Sequence, residues 1–159
     1  MKKLLLFVMV LVSVSLFSQE LKGYELGTKL NGKTNELETT VTGIEGVVTC
    51  DTLNDGRICR IFFIPYDKDK GETIRVYTSD LDNLVSAVNN KYGIDLIKRK
   101  KEYSNDYTYY KLLNNISYFV TVESNRYMDK PLAICLILSD RKLLKIKKQE
   151  ELKAVSSDL

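Results

Sequence analysis

Residues Val47 to Pro65 constrain the fold most. Val48 and Cys50, then Cys59, Ile61 and Phe63, are apolar at every second position on either side of Asn54-Asp55-Gly56. Thr49, Asp51 and Arg60 fall between them. A period of two sends alternate side chains to opposite faces of a strand, and Asn-Asp-Gly supports the tight turn that joins two strands. The segment predicts an antiparallel hairpin with one buried face. An isolated hairpin is marginal in water, so the chain must supply further strands to complete a sheet. Pro65 cannot donate to a ladder and predicts the end of the second strand.

The rest of the chain offers those strands. Gly23 to Gly27 predicts a short extended piece. Residues 31–46 are rich in Gly, Thr, Asn and Glu, show no clean period, and predict a loop or irregular strand. Asp67 to Glu72 predicts a polar turn, followed by a strand around Ile74 and Val76. Leu81, Leu84, Val85, Val88 and Tyr92 recur at helical spacing and predict a helix over about 79–92, capped by Ser79 with Asp82 three residues on. Gly93 is placed to end it in the left-handed conformation. Ile94 to Lys98 predicts a strand. Tyr107 to Leu113 and Ile116 to Glu123 flank Asn114-Asn115 as a second hairpin, with Ile116, Tyr118, Val120 and Val122 on one face. Leu132 to Leu138 is apolar throughout and predicts a central strand covered on both sides. From Asp140 a Lys- and Glu-rich stretch predicts a C-terminal helix over about 140–154, then a frayed tail. Strands outnumber helices and are mostly joined as hairpins, so the fold class is α+β with a mainly antiparallel sheet.

Residues 1–18 predict a secretory signal peptide. Lys2 and Lys3 precede a run from Leu4 to Leu16 interrupted only by Ser13 and Ser15. That run fits a signal h-region of about 7–15 residues and falls short of the about 20 that span a bilayer. Ser18 is the small residue before the expected cut, leaving Gln19 first, although Leu16 is large for its place. Residues 19–159 then form a single domain, exported to the periplasm or the exterior, that meets the membrane only during export. Processing removes two lysines, so the formal charge of +3 drops to +1. The locally basic stretches, Lys98 to Lys101 and Lys142 to Lys148, are short. A nucleic-acid partner is not expected from so balanced a charge.

Cysteines in an oxidising compartment are potential disulfides. If Leu53 to Gly56 forms a four-residue loop, Cys50 faces Cys59, close to bridging distance. If the turn is Asp55-Gly56 alone, Cys50 faces Ile61 and the cysteines are diagonal. Cys135, in the most apolar strand, is expected to be a buried free thiol.

Two absences exclude chemistry. The chain has no histidine, which removes Ser-His-Asp and Cys-His pairs and every His-ligated metal site. It has no tryptophan, a common sugar-stacking platform, but has 10 tyrosines. Tyr107, Tyr109 and Tyr110 are the candidate binding surface, with Tyr107 and Tyr109 pointing together on a strand. Asp51 to Gly56 lacks the carboxylates of a calcium loop at its third and twelfth positions, Leu53 and Phe62. Asp67, Asp69 and Glu72 are interleaved with lysines. No cofactor or metal ligand set emerges. Glu38, Glu45, Asp51 and Glu123 are candidate carboxylates for hydrolysis, with nothing to choose among them.

The signal peptide, Gly23 with Leu26 and Gly27, the Lys91-Tyr92-Gly93 helix end and the Ser157-Asp158-Leu159 close resemble small exported envelope proteins of Gram-negative bacteria without assigned activity. The resemblance implies a periplasmic or secreted α+β domain and carries over no catalytic residue. The functional expectation is a non-catalytic envelope protein that binds another protein or macromolecule through its sheet. The alternative is a small secreted hydrolase that uses carboxylates.

Overall fold

The computed structural model describes residues 19–102, 104–124 and 132–157. The expected signal segment and the last two residues of the chain lie outside these. In chain order come β1 (Glu20–Leu21), β2 (Tyr24–Glu25), β3 (Glu36–Val41), β4 (Ile44–Thr52), β5 (Ile58–Asp67), β6 (Glu72–Thr73), α1 (Thr78–Tyr92), β7 (Ile97–Lys100), β8 (Tyr107–Leu113), β9 (Ile116–Glu123), β10 (Ala133–Asp140) and α2 (Arg141–Ser157). The fold is α+β: an antiparallel sheet of hairpins, one central helix and one C-terminal helix.

The main sheet runs β3-β4-β5-β10-β9-β8-β7, with β6 paired to the far end of β5 and β1-β2 forming a separate small hairpin. Two meanders, β3–β5 and β7–β10, are joined along one seam, β5 against β10, from Arg60↔Ser139 to Phe63↔Leu136. Three hairpins turn on two-residue loops with positive φ at both positions: Lys22-Gly23, Thr42-Gly43 and Asn114-Asn115. That backbone twist matches the strands it joins. Thr42-Gly43 explains why residues 31–46, expected as loop or irregular strand, contain a regular hairpin. The strand it leads from, β3, lies at the sheet edge and is exposed along most of its length, so it carries no alternating pattern.

Several boundaries differ from the expectation. β5 runs through Pro65 to Asp67. Pro65 pairs with Gly46 of β4, and β10 pairs with β5 only as far as Phe63, so the missing Pro65 N–H removes no bond from the β5–β10 ladder. The carbonyl of Pro65 accepts from Ile74 N at 3.2 Å. The strand expected around Ile74 and Val76 is reduced to β6 and a single bridge, Val76↔Leu132. β7 starts at Ile97, because Gly93 ends α1 and Ile94 turns inward as a buried residue. α1 begins two residues earlier than the Ser79 cap implied. Tyr77 is its N-cap, and Asp80, not Asp82, accepts from Tyr77 N at 3.2 Å. Its end is as expected, with Gly93 left-handed at φ 61°.

One core fills the space between α1 and what we term the inner face of the sheet. It contains Leu81, Leu84, Val88 and Tyr92 of α1, Val48, Ile61 and Phe63 of the first meander, and Val120, Leu136 and Leu138 of the second. The β1-β2 hairpin adds Leu21 and Tyr24 to the same core. Tyr92 closes one end. Its hydroxyl donates to Glu20 O at 2.7 Å, and its ring lies 5.0 Å from that of Tyr118. Gly46 admits Phe63: a Cβ there would lie 2.6 Å from the Phe63 ring and collide with the Ile64 carbonyl.

α2 lies on the opposite, outer face, at the β4–β5 turn. Leu143, Leu53 and Cys59 form a second small cluster there, with Leu144 packed against it. Glu150 Oε2 accepts from Asn54 N at 3.1 Å, and Lys147 lies 3.8 Å from Asp51. No described helix is long and apolar enough to cross a membrane.

Candidate binding face

The outer face is the part of the sheet that α1 does not cover. Its residues are those of opposite parity to the core. The register places them in rows that cross the whole sheet. One row reads Glu36, Thr49, Phe62, Ile137, Phe119, Tyr110, Ile97, each paired with the next across adjacent strands. Every member except the exposed end residues Glu36 and Ile97 is half-buried, while inner-face neighbours such as Ile61, Val120 and Leu138 are fully buried. Among the described residues, α2 packs on this face at the β4–β5 turn and reaches the adjoining row of Asp51 and Arg60 through Lys147; Ser139 and Ser117 of that row are buried.

Aromatic and cationic groups finish the row. The Tyr110 and Phe119 rings stack at 6.5 Å with 23° between planes. Arg99 lies over Tyr110 at 4.3 Å, and Arg60 over Phe62 at 5.4 Å. A cleft of about 610 Å³ opens at this end of the sheet, lined in part by Arg99, Lys101, Tyr110, Phe119 and Glu123. The two edges carry opposite charge. The β3 edge presents Glu36 and Glu38 with Glu45 of β4. The β7 edge presents Lys98, Arg99 and Lys100, all exposed.

The three candidate tyrosines divide between faces. Tyr107 and Tyr109 do point together, with ring centroids 5.7 Å apart. They pack against the core on the inner side, and Lys98 caps them, 3.9 Å from the Tyr107 ring. Burial raises the pKa of both phenols. Only Tyr110 reaches the outer face, so the three do not form one surface. Phe62, Phe119, Ile137 and Ile97 were not singled out from the sequence. Their signal is the apolar residue at the wrong parity: Phe62 and Ile64 between Ile61, Phe63 and Pro65, and Ile137 between Leu136 and Leu138. The central position of β10 was legible, but its second face is only half-buried.

The cysteines are free thiols. The ladder sets Cys50 opposite Ile61, the register in which the two cysteines are not directly paired. A bulge between Asp51 and Thr52 then leaves Cys59 without a partner on β4. Cys50 stays in the main core, while Cys59 joins the α2 cluster, with its thiol 3.3 Å from the Asp51 carbonyl. The candidate Cys50–Cys59 bridge is not formed in this structure, where the two side chains belong to different faces. Burial raises the pKa of both, and that of Cys135 to about 11. A protonated, half-buried thiol is a poor nucleophile.

The candidate carboxylates do not assemble an acid-base pair. Glu38 and Glu45 border one shallow cleft of about 240 Å³ with Tyr66 and Lys68, but Glu38 is engaged by Lys68 at 2.7 Å. Asp51 is held between Arg60 at 3.5 Å and Lys147 at 3.8 Å. Glu123 lies at the opposite end of the sheet, beside the larger cleft. Among the described residues, where a carboxylate pKa shifts, it falls: hydrogen bonds from Arg57, Lys70 and Ser104 lower Asp55, Asp67 and Asp106. A general acid at neutral pH needs the opposite shift. In the Asp67–Glu72 turn, Lys70 occupies Asp67 at 2.8 Å. Among the described residues, no three His, Cys, Asp or Glu side chains gather as a metal site.

No protein-family model matches the chain, and no curated protein matches it. Among solved structures it is similar to a DUF4309 family protein from Bacillus subtilis, at 8% identity and a TM-score of 0.36, over 74% of this chain and 72% of that one.

Proposed function

We propose that this is an exported, non-catalytic envelope protein that binds another protein through the outer face of its sheet. The row from Phe62 through Ile137, Phe119 and Tyr110 carries the reading. A sheet face exposed to water ordinarily alternates to polar residues. Here one row of outward positions on the central strands, Phe62, Ile137, Phe119 and Tyr110, is aromatic or aliphatic, and contiguous apolar surface with a polar rim marks an interaction site. Arg and Tyr at its margin are residues enriched at protein interfaces. Export is supported by Lys2, Lys3 and the apolar run to Leu16. The mature N-terminus should read Gln19.

The test is photocrosslinking in intact cells, with the reactive side chain placed at Phe119. A discrete adduct is expected, absent when the reactive group sits at the exposed Asp69 and lost in an Ile137→Asp background. Equal labelling from both positions, or no adduct from either, overturns the reading.

A further inference from the structure

We infer that the occupant of the outer face is a second copy of this chain, stacked face to face about a two-fold axis along β10. This rests on the reading of the outer face as a binding surface. An isologous interface must be complementary to itself. The strand order supplies that condition, because β10 is the middle strand of β3-β4-β5-β10-β9-β8-β7, with three strands on each side. A rotation about β10 lays β5 on the other copy's β9, β4 on its β8 and β3 on its β7.

The residues then match. Ile137 meets its own copy on the axis. Phe62 meets the other copy's Phe119 and Thr49 meets its Tyr110, while at the exposed ends of the same row Glu36 meets Ile97. In the next row, Glu38 pairs with Val47 at one end and Arg99 with Thr108 at the other. The same rotation therefore brings the acidic β3 edge over the basic β7 edge, twice. Lys68 already holds Glu38, but as an exposed pair it contributes little. Glu36 and Glu45 remain beside it. Sheets stack about 10 Å apart at about −30°. Seven strands cover about 30 Å by about 20 Å, and a corrugated footprint of that size approaches the roughly 800 Å² per partner of a specific interface. α2 lies on the same face at the β4–β5 turn, and the two-fold puts both copies of it at one end of the stack, so the sheets pack closely over the Phe62 and Glu38 rows and splay apart toward α2.

Sedimentation velocity on the purified protein, from micromolar to sub-millimolar concentration, tests this. A monomer–dimer equilibrium is expected. Ile137→Asp should abolish it, with circular dichroism confirming that the variant folds. Glu38→Arg and Arg99→Glu lie at exposed edges and leave the core intact. Each alone should weaken the dimer about tenfold by setting like charges together, and the double reversal should restore it. A wild type that stays monomeric, or a double reversal no better than the single ones, overturns the inference. If the Phe119 crosslink then captures a different protein, binding through the sheet stands and only the identity of the occupant falls. If it captures nothing, both fall.

Discussion

Tyr92 shows how one buried polar group links the chain's first strand to its core. Its phenol donates to the Glu20 carbonyl, 72 residues away in sequence, inside an apolar wall. Burial, with smaller contributions from Tyr118 and Glu20, pushes its pKa far above the ordinary phenol range. The folded state keeps the proton at pH values where the unfolded chain loses it. Above about pH 10 the unfolded state thus binds fewer protons, and stability falls as pH rises. Below that pH the contribution is fully present. Tyr92→Phe should cost about 1 kcal/mol at neutral pH and flatten the alkaline decline, as read by urea unfolding at neutral pH and above pH 10. The cysteines make a second prediction at this scale. Without reductant, all three thiols should react with a maleimide in denaturant and only slowly in the native protein. A count of one in denaturant, with the label mapped to Cys135, would mean that Cys50 and Cys59 are joined. Their alternation was readable in the sequence. The bulge that parts them was not, because an extra residue changes which face a side chain takes without changing the residue pattern.

At the scale of elements, legibility followed the contrast between the two faces. The hairpin β8-β9 was bounded correctly from Tyr107 to Leu113 and Ile116 to Glu123, because its inner residues are apolar and its turn is Asn-Asn. β3 was not, since an edge strand with both faces wet has no reason to alternate. The cap of α1 was displaced because Ser79 and Asp82 have the right spacing, and so do Tyr77 and Asp80. Only the chain's entry angle decides between them. The binding face was half legible: Tyr110 was named, but Phe62, Phe119 and Ile137 were hidden because an apolar residue at the outward parity resembles one more core residue. The β4–β5 contact rests on Gly46, whose missing Cβ makes room for Phe63 against the adjacent strand. Gly46→Ala should therefore destabilise by about 1–3 kcal/mol despite the better strand propensity of alanine, a loss measurable by thermal unfolding. Little change in Tm would show that Phe63 can swing aside.

For the whole molecule, the decisive fact is that two locally wired meanders meet along one seam. Hairpins β3-β4, β4-β5, β7-β8 and β8-β9 close over short loops. β5 must find β10 across α1 and the whole second meander. The pairing is held on the inner side by Phe63, Ile61, Leu136 and Leu138, which α1 covers. Neither meander can bury its inner face without that cover, since the core residues of both belong to one cluster. The two should therefore unfold together. Leu136→Ala removes a fully buried side chain at the seam and should cost about 2–5 kcal/mol. Native-state hydrogen exchange checks whether that loss is shared. Amides of β4 and of β8, on opposite sides of the seam, should lose protection by the same factor. If β8 keeps its protection while β4 loses it, the seam joins two independent units. The outer face, which spans both, would then depend on the partner to hold its two halves in register.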